Sequence, residues 1–258
     1  MSEPTTTSMT SIQRARVFLA LSVVVTIALY FVPYGHLIGR PLMWLSTLAH
    51  ELGHGVAAVL MGHEFRKFEM WANGSGVATW AGLPSRFDRA FISAGGLVGP
   101  ALVAGLGFWL GREEKTSRGG LMFFGGVLTL ALILVVRNLF GVVFVAAVAA
   151  ALLAIAFKAK PWVSQVTVVF VAVQLALSVF SRGDYLFTDV ANTSAGPMPS
   201  DVAQMADALF LPYWFWGALC GAFSVAVLLL GLRLFFKGVG GGAAGMKGSQ
   251  ASKASLAP

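Results

Sequence analysis

Long apolar runs alternate with short polar breaks along this chain, and seven of them approach the ~20 residues a helix needs to cross a hydrocarbon core. They are Arg16–Tyr34, Pro41–Met61, Ala90–Leu110, Gly119–Val136, Leu139–Phe157, Trp162–Phe180 and Tyr213–Phe236. The pattern predicts an all-α integral membrane bundle of about six to seven transmembrane helices. Only Arg137 and Asn138 divide the fourth run from the fifth. One helix through both would exceed an ordinary bilayer, so the pair is read as a tight turn.

Two segments break the pattern. Residues 63–83, "HEFRKFEMWANGSGVATWAGL", hold two short β-capable runs on either side of "ANGSG". They predict a small membrane-associated β-hairpin with a Gly-rich turn. Its edge could hold an extended peptide inside a protein-walled cavity; equally, Trp71 and Trp80 could anchor a surface hairpin. The second segment, 181–211, is the longest polar stretch between runs and carries Asp184, Asp189, Asp201 and Asp207. Loops of this length are often functional. Residues 1–13 read as a polar N-terminal tail, 14–237 as a single polytopic domain, and 238–258 as a flexible Gly/Ser/Lys-rich tail. The first apolar run is too long for a signal-peptide core and lacks a cleavage site, so it is expected to be retained.

Composition agrees with a membrane body. The chain has 258 residues, 57% hydrophobic and 11% charged, against roughly 25% charged in soluble domains. The net charge of +7 does not imply nucleic acid, because the Lys and Arg residues sit in short segments between apolar runs, as loop anchors do. Counting them with seven crossings leaves the two faces nearly balanced, and the weight of the first loops favours an N-terminus inside. The single Cys220 lies in an apolar run, which excludes a disulfide framework or a thiolate metal site.

Against that background "WLSTLAHELGHGVAAVLMGH", residues 44–63, places ionisable groups where burial is costly. His50, Glu51 and His54 fit His-Glu-x-x-His. Residues four apart share a helix face, so both imidazoles can bind one tetrahedral zinc ion. Zinc lowers the pKa of a bound water to about 7, and that water is the expected nucleophile. Glu51 is the expected general base and then general acid. Gly53 and Gly55 are expected to thin the helix where a substrate backbone would approach. His63 lies about 20 Å from His50 along a continuous helix and should not reach the same ion. His36 and His63 read as interface or loop histidines.

"HELGH" in an early apolar helix, a following hairpin, and "ISAGGLVGPALVAGL" at 92–106 together resemble the site-2 protease family of intramembrane zinc metalloproteases. Ala94, Gly95, Gly99 and Pro100 resemble the family's small-residue stretch in the next core helix. "PSDVAQMADALFLPYWFW", 199–216, is similar to the short bacterial branch that lacks a PDZ domain. The resemblance implies a zinc cofactor and cleavage of membrane-protein substrates within or near a lipid bilayer, in a bacterial plasma membrane. It also implies an aspartate as third zinc ligand, usually within Leu-Asp-Gly. That motif is absent here, and the candidates are Asp201, Asp184 and Asp189. Asp201 is preferred, because "PSD" leads into an amphipathic run whose first turn would aim the carboxylate inward. The family also uses asparagines to orient substrate; Asn138 does not match at motif level and reads equally well as a turn residue.

The functional expectation is a zinc-dependent intramembrane endopeptidase with His50, His54 and Asp201 on the metal and Glu51 handling protons. The alternative is a non-catalytic metalloprotease-like scaffold or regulatory subunit that binds a partner membrane protein, favoured by the missing Leu-Asp-Gly. A transporter is disfavoured, since the other spans carry almost no ionisable residues.

Overall fold

The computed structural model describes residues 9–181, 183–194 and 196–237; the first eight residues, Arg182, Ala195 and the tail from 238 lie outside them, as do the side chains of His36 and Asp184. The chain forms α1 (Ser11–Phe31), α2 (Gly35–Leu60), β1 (Glu64–Met70), β2 (Gly76–Ala81), α3 (Arg86–Gly111), α4 (Glu114–Leu134), α5 (Leu139–Lys158) and α6 (Pro161–Ser181). After a 3-10 turn at Gly183–Phe187 come β3 (Val190–Thr193), β4 (Gly196–Pro199), α7 (Asp201–Leu209) and α8 (Tyr213–Lys237). Local chemistry marks the starts. Thr10 with Gln13, and Ser85 with Asp88, form capping boxes before α1 and α3, and Asn138 and Ser200 cap α5 and α7.

Contacts between helix ends establish the topology. Arg14 at the start of α1 pairs with Glu114 at the start of α4 (2.7 Å). Gln165, in the first turns of α6, donates to the carbonyls of Gly111 and Arg112 at the end of α3. Phe235 near the end of α8 packs on Phe108. Farther along, Gln174 of α6 reaches Thr26 of α1 (2.5 Å), so these two helices run parallel. One end of the bundle therefore holds the starts of α1, α4 and α6 and the ends of α3, α5 and α8.

That arrangement settles the expected six to seven crossings at six, and the run at 41–61 is the candidate that drops out. α1 leaves this end and α3 returns to it, so α2 between them makes no net crossing. Six helices are long and apolar enough to span a membrane, and α2 is not among them. Its polar load, including Arg40, Ser46, Thr47, His50, Glu51 and His54, is the reason. Instead α2 packs along α3 through glycines. A Cβ on Gly95 would lie 2.8 Å from the Gly53 carbonyl oxygen, and one on Gly99 2.8 Å from that of Ala49. Small residues at such an interface allow close backbone approach.

Two apolar cores flank this central pair. Leu48, Phe68, Leu121 and Val145 join α2, β1, α4 and α5, while Ala15, Ala104, Val169 and Leu228 join α1, α3, α6 and α8. Outward-facing Leu21, Val24, Ile133 and Leu229 are exposed, as expected of lipid-facing positions.

The first hairpin forms where the sequence predicts it, with Phe68 opposite Ala78 and Met70 opposite Gly76. Its far side is tied to the α4–α5 turn. Phe68 N–H donates to Val135 O (2.7 Å), and Arg137 N–H to Phe68 O (3.0 Å). The Asn138 side chain then grips Met70 at both backbone groups: Oδ1 accepts from Met70 N (3.2 Å) and Nδ2 donates to Met70 O (2.5 Å). The polar 181–211 stretch folds as a second hairpin, β3–β4, and the short helix α7.

Candidate metal centre

His50 and His54 lie one turn apart on α2, with ring centroids 4.7 Å apart and their Nε2 atoms at 3.2 Å. The Nδ1 of His54 is 2.8 Å from the Ile92 carbonyl oxygen on α3. A carbonyl only accepts, so Nδ1 carries the proton and the Nε2 lone pair of a neutral ring faces the site. Gly96, one turn beyond Ile92, leaves room for that ring, because a Cβ there would overlap His54 Nε2 and Cε1.

Asp201 arrives from about 150 residues away. Ser200 anchors the start of α7 by donating through Oγ to Thr188 O (2.6 Å) and accepting from Ala203 N (3.2 Å). This anchoring delivers the Asp201 carboxylate, 5% exposed, to the imidazole pair. Oδ2 lies 3.1 Å from His50 Nε2 and Oδ1 3.3 Å from His54 Nε2.

Glu51 points toward the first hairpin and is 6% exposed. β2 crosses above it: a Cβ on Gly76 would lie 2.7 Å from Glu51 Cγ and 2.9 Å from Oε1, so glycine is what lets the strand come this close. The Ala78 backbone N–H hydrogen-bonds the carboxylate. Register explains why that group is available. Hydrogen-bonded and non-hydrogen-bonded pairs alternate in an antiparallel ladder. Phe68 directs its N–H to Val135, so the Phe68–Ala78 pair is of the second kind and Ala78 faces out along the far edge of β2. Tyr185 closes another side, its ring edge-on to His50 at 5.7 Å.

These groups border a cavity of about 110 Å³ whose walls include His50, Glu51, Gly76, Pro100, Tyr185 and Asn192. Sites that enclose drug-sized ligands run to roughly 300–1,000 Å³, so the cavity is too small for an extended peptide. The β3–β4 hairpin covers it, and Ser194 at that hairpin's turn bonds across to the turn of the first hairpin. Asn73 Nδ2 and Ser75 Oγ each lie 3.0 Å from Ser194 Oγ.

The donor set fits a metal ion. The Asp201 carboxylate and the His54 lone pair face one another as acceptors, and Asp201 Oδ2 is buried without a hydrogen-bond donor. Such a cluster calls for a cation. A tetrahedral zinc with bonds of 2.0–2.1 Å needs ligand atoms about 3.3 Å apart; the two Nε2 atoms are 3.2 Å apart, and each imidazole lies 3.1–3.3 Å from a different oxygen of the Asp201 carboxylate. Among the described residues, His50, His54 and Asp201 are the group that could hold an ion.

Other expected roles find different places. Asp189 and Asp207 are exposed and outside the cluster, and the Asp184 side chain lies outside the described residues. His63 faces Asp88 (3.2 Å) and Trp80 at the foot of the first hairpin. The expectation for Gly53 and Gly55 is corrected: a Cβ on Gly53 would strike the Gly95 carbonyl and one on Gly55 the Phe65 ring, so both face packing partners rather than an approach route for substrate. Sequence reasoning missed Tyr185, the Ile92 carbonyl and the Asn138 clamp. Only the last left a signal, an asparagine at a predicted turn.

Fold and site together define a polytopic membrane protein with a metal-competent His-His-Asp cluster beside a buried glutamate. The chain belongs to the Peptidase M50B-like family, whose family model matches residues 20–231. Membership makes it a peptidase of the metalloprotease class, and its six apolar helices make it an integral membrane protein. None of the curated proteins and none of the solved structures compared matches the chain.

Proposed function

We propose that this chain is a zinc-dependent intramembrane endopeptidase, with His50, His54 and Asp201 as metal ligands and Glu51 as general base and then general acid. One observation carries the reading: three acceptor groups from two distant segments converge within 3.1–3.3 Å beside a buried carboxylate. Zinc held there would supply a Lewis acid and an activated water for amide hydrolysis. Asp201, introduced by the Ser200 cap, is the acidic group beside the imidazole pair in a chain without Leu-Asp-Gly, and its position supports the enzymatic reading over the scaffold alternative.

The chain's own residues divide the remaining work. Glu51 Oε takes the proton from the attacking water and returns it to the leaving amine nitrogen. The Ala78 N–H holds that carboxylate in place. The outer edge of β2 offers the backbone groups of Gly76 and the carbonyl of Ala78 to an extended substrate strand laid beside Glu51. Such a strand exceeds the cavity, so the β3–β4 hairpin has to swing away and break the Ser194 contacts before substrate enters.

The test is Glu51→Gln in full-length protein with a co-expressed membrane substrate. Cleavage should fall by about 10²–10⁴-fold, with bound metal unchanged. Undiminished cleavage would remove Glu51 from the mechanism, and loss of the metal would make it a ligand.

A further inference from the structure

With α2 making no net crossing, the charges sort onto two ends. Where α1 begins stand Arg14 and Arg16, and where α8 ends stand Arg233 and Lys237. The α3–α4 turn adds Arg112, Lys115 and Arg118, and the α5–α6 turn adds Lys158 and Lys160. Only Glu113 and Glu114 oppose these nine on that end. The other end, outside the buried site, is balanced. The first hairpin pairs Arg66 with Glu64 (2.7 Å) and Lys67 with Glu69 (2.8 Å). Arg40, Arg86, Arg89 and Arg137 there stand against Asp88, Asp189 and Asp207. With Asp184 after α6 counted as well, the net formal charge among the described residues is +7 at the first end and 0 at the second, leaving aside the buried Glu51 and Asp201.

We propose that the basic end docks on the anionic headgroups of the cytoplasmic leaflet, so that the His-His-Asp pocket and both hairpins open toward the opposite, exoplasmic face. Two independent effects act in the same direction. Lys and Arg in short loops next to spans are retained on the cytoplasmic side, and anionic headgroups of that leaflet attract them. The basic end consists of such loops: two residues join α3 to α4 and two join α5 to α6. Both the described start and the described end of the chain then face the cytoplasm. The orientation stands whatever the site does. Combined with the peptidase reading, on which this last step rests, it makes the substrates membrane segments approached from the outer leaflet.

The test is single-cysteine labelling of the full chain in a bacterial host, on a Cys220→Ser background that removes the one native thiol. Ala72→Cys, in the turn of the first hairpin, reports the site end. Gly119→Cys, on an open surface of α4 beside the basic turn, reports the other. Neither changes a charge. A membrane-impermeant maleimide should label Ala72→Cys in intact cells and Gly119→Cys only after permeabilisation. C-terminal fusions give a second readout: a fluorescent protein should fluoresce, and alkaline phosphatase should be inactive. The reverse pattern, or equal labelling of both cysteines in intact cells, overturns the proposal.

Discussion

Gly96→Ala tests the centre through a residue that carries no chemistry. A Cβ built on Gly96 falls inside the contact shell of His54 Nε2 and Cε1. Restoring an ordinary carbon contact of ~3.5 Å requires the ring to move by roughly 1 Å. Metal–ligand distances tolerate only about ±0.2 Å, so the displacement exceeds the tolerance several-fold. Movement also strains the Nδ1–Ile92 hydrogen bond, worth about 1 kcal/mol. The alternative, a shift of α3, meets the Gly53–Gly95 backbone contact and costs about 1–3 kcal/mol as overpacking. Zinc affinity should therefore fall about 10–100-fold, the usual effect of disturbing a ligand's support. The assay is competitive zinc titration of purified protein in mild detergent, with thermal unfolding run in parallel. The control is Gly126→Ala on α4, where a Cβ meets nothing within 4 Å; it should bind zinc as the parent does and gain about 0.5–1 kcal/mol of helix stability. Should Gly96→Ala bind zinc as tightly as Gly126→Ala, the packing of His54 against α3 does not position a ligand.

Asn138→Ala removes both the α5 cap and the two-bond clamp on Met70. It should lower stability by about 1–3 kcal/mol, seen as a lower unfolding temperature in detergent, and should reduce cleavage more than zinc content. Ser194→Ala removes the two side-chain contacts of the bridge between the hairpins and leaves only Ser194 N–H to Ser75 Oγ (3.3 Å); at this exposed position stability should stay within about ±0.5 kcal/mol while cleavage of a membrane substrate speeds up. An unchanged rate would mean that the β3–β4 hairpin does not gate the cavity. Ser200→Ala unties α7 from Thr188 and should cost about 1 kcal/mol together with part of the zinc affinity, both read from the same titration.

Much of the architecture was legible because its causes are local. Six spans follow from apolar runs, the first hairpin from alternating residues about "ANGSG", and the histidine pair from a four-residue spacing that any helix would honour. What stayed hidden depends on partners remote in sequence. The run at 41–61 is apolar enough to look like a span, and only the meeting of Arg14 with Glu114 shows that α2 cannot cross. That one change of parity also turned evenly divided charges into a basic end and a balanced one. Gly53 shows in the sequence as a missing side chain, but not that the Gly95 carbonyl fills the gap. Asp201, Asp184 and Asp189 look alike as loop aspartates; the amphipathic run after "PSD" was the sign that set the first apart, and the Ser200 cap, 0% exposed beneath Thr188, needed the folded chain. Asn138 caps a helix and holds a strand at once, and a sequence reveals only the first of these.

Metal content of the full-length protein purified in mild detergent bears most directly on the centre. Wild type should carry about one zinc per chain, as a single three-ligand site requires. Asp189→Ala should match it, and Asp201→Ala should lose most of it. Wild-type protein free of zinc, or Asp201→Ala that keeps the full amount, would contradict the assignment of His50, His54 and Asp201 as one metal site.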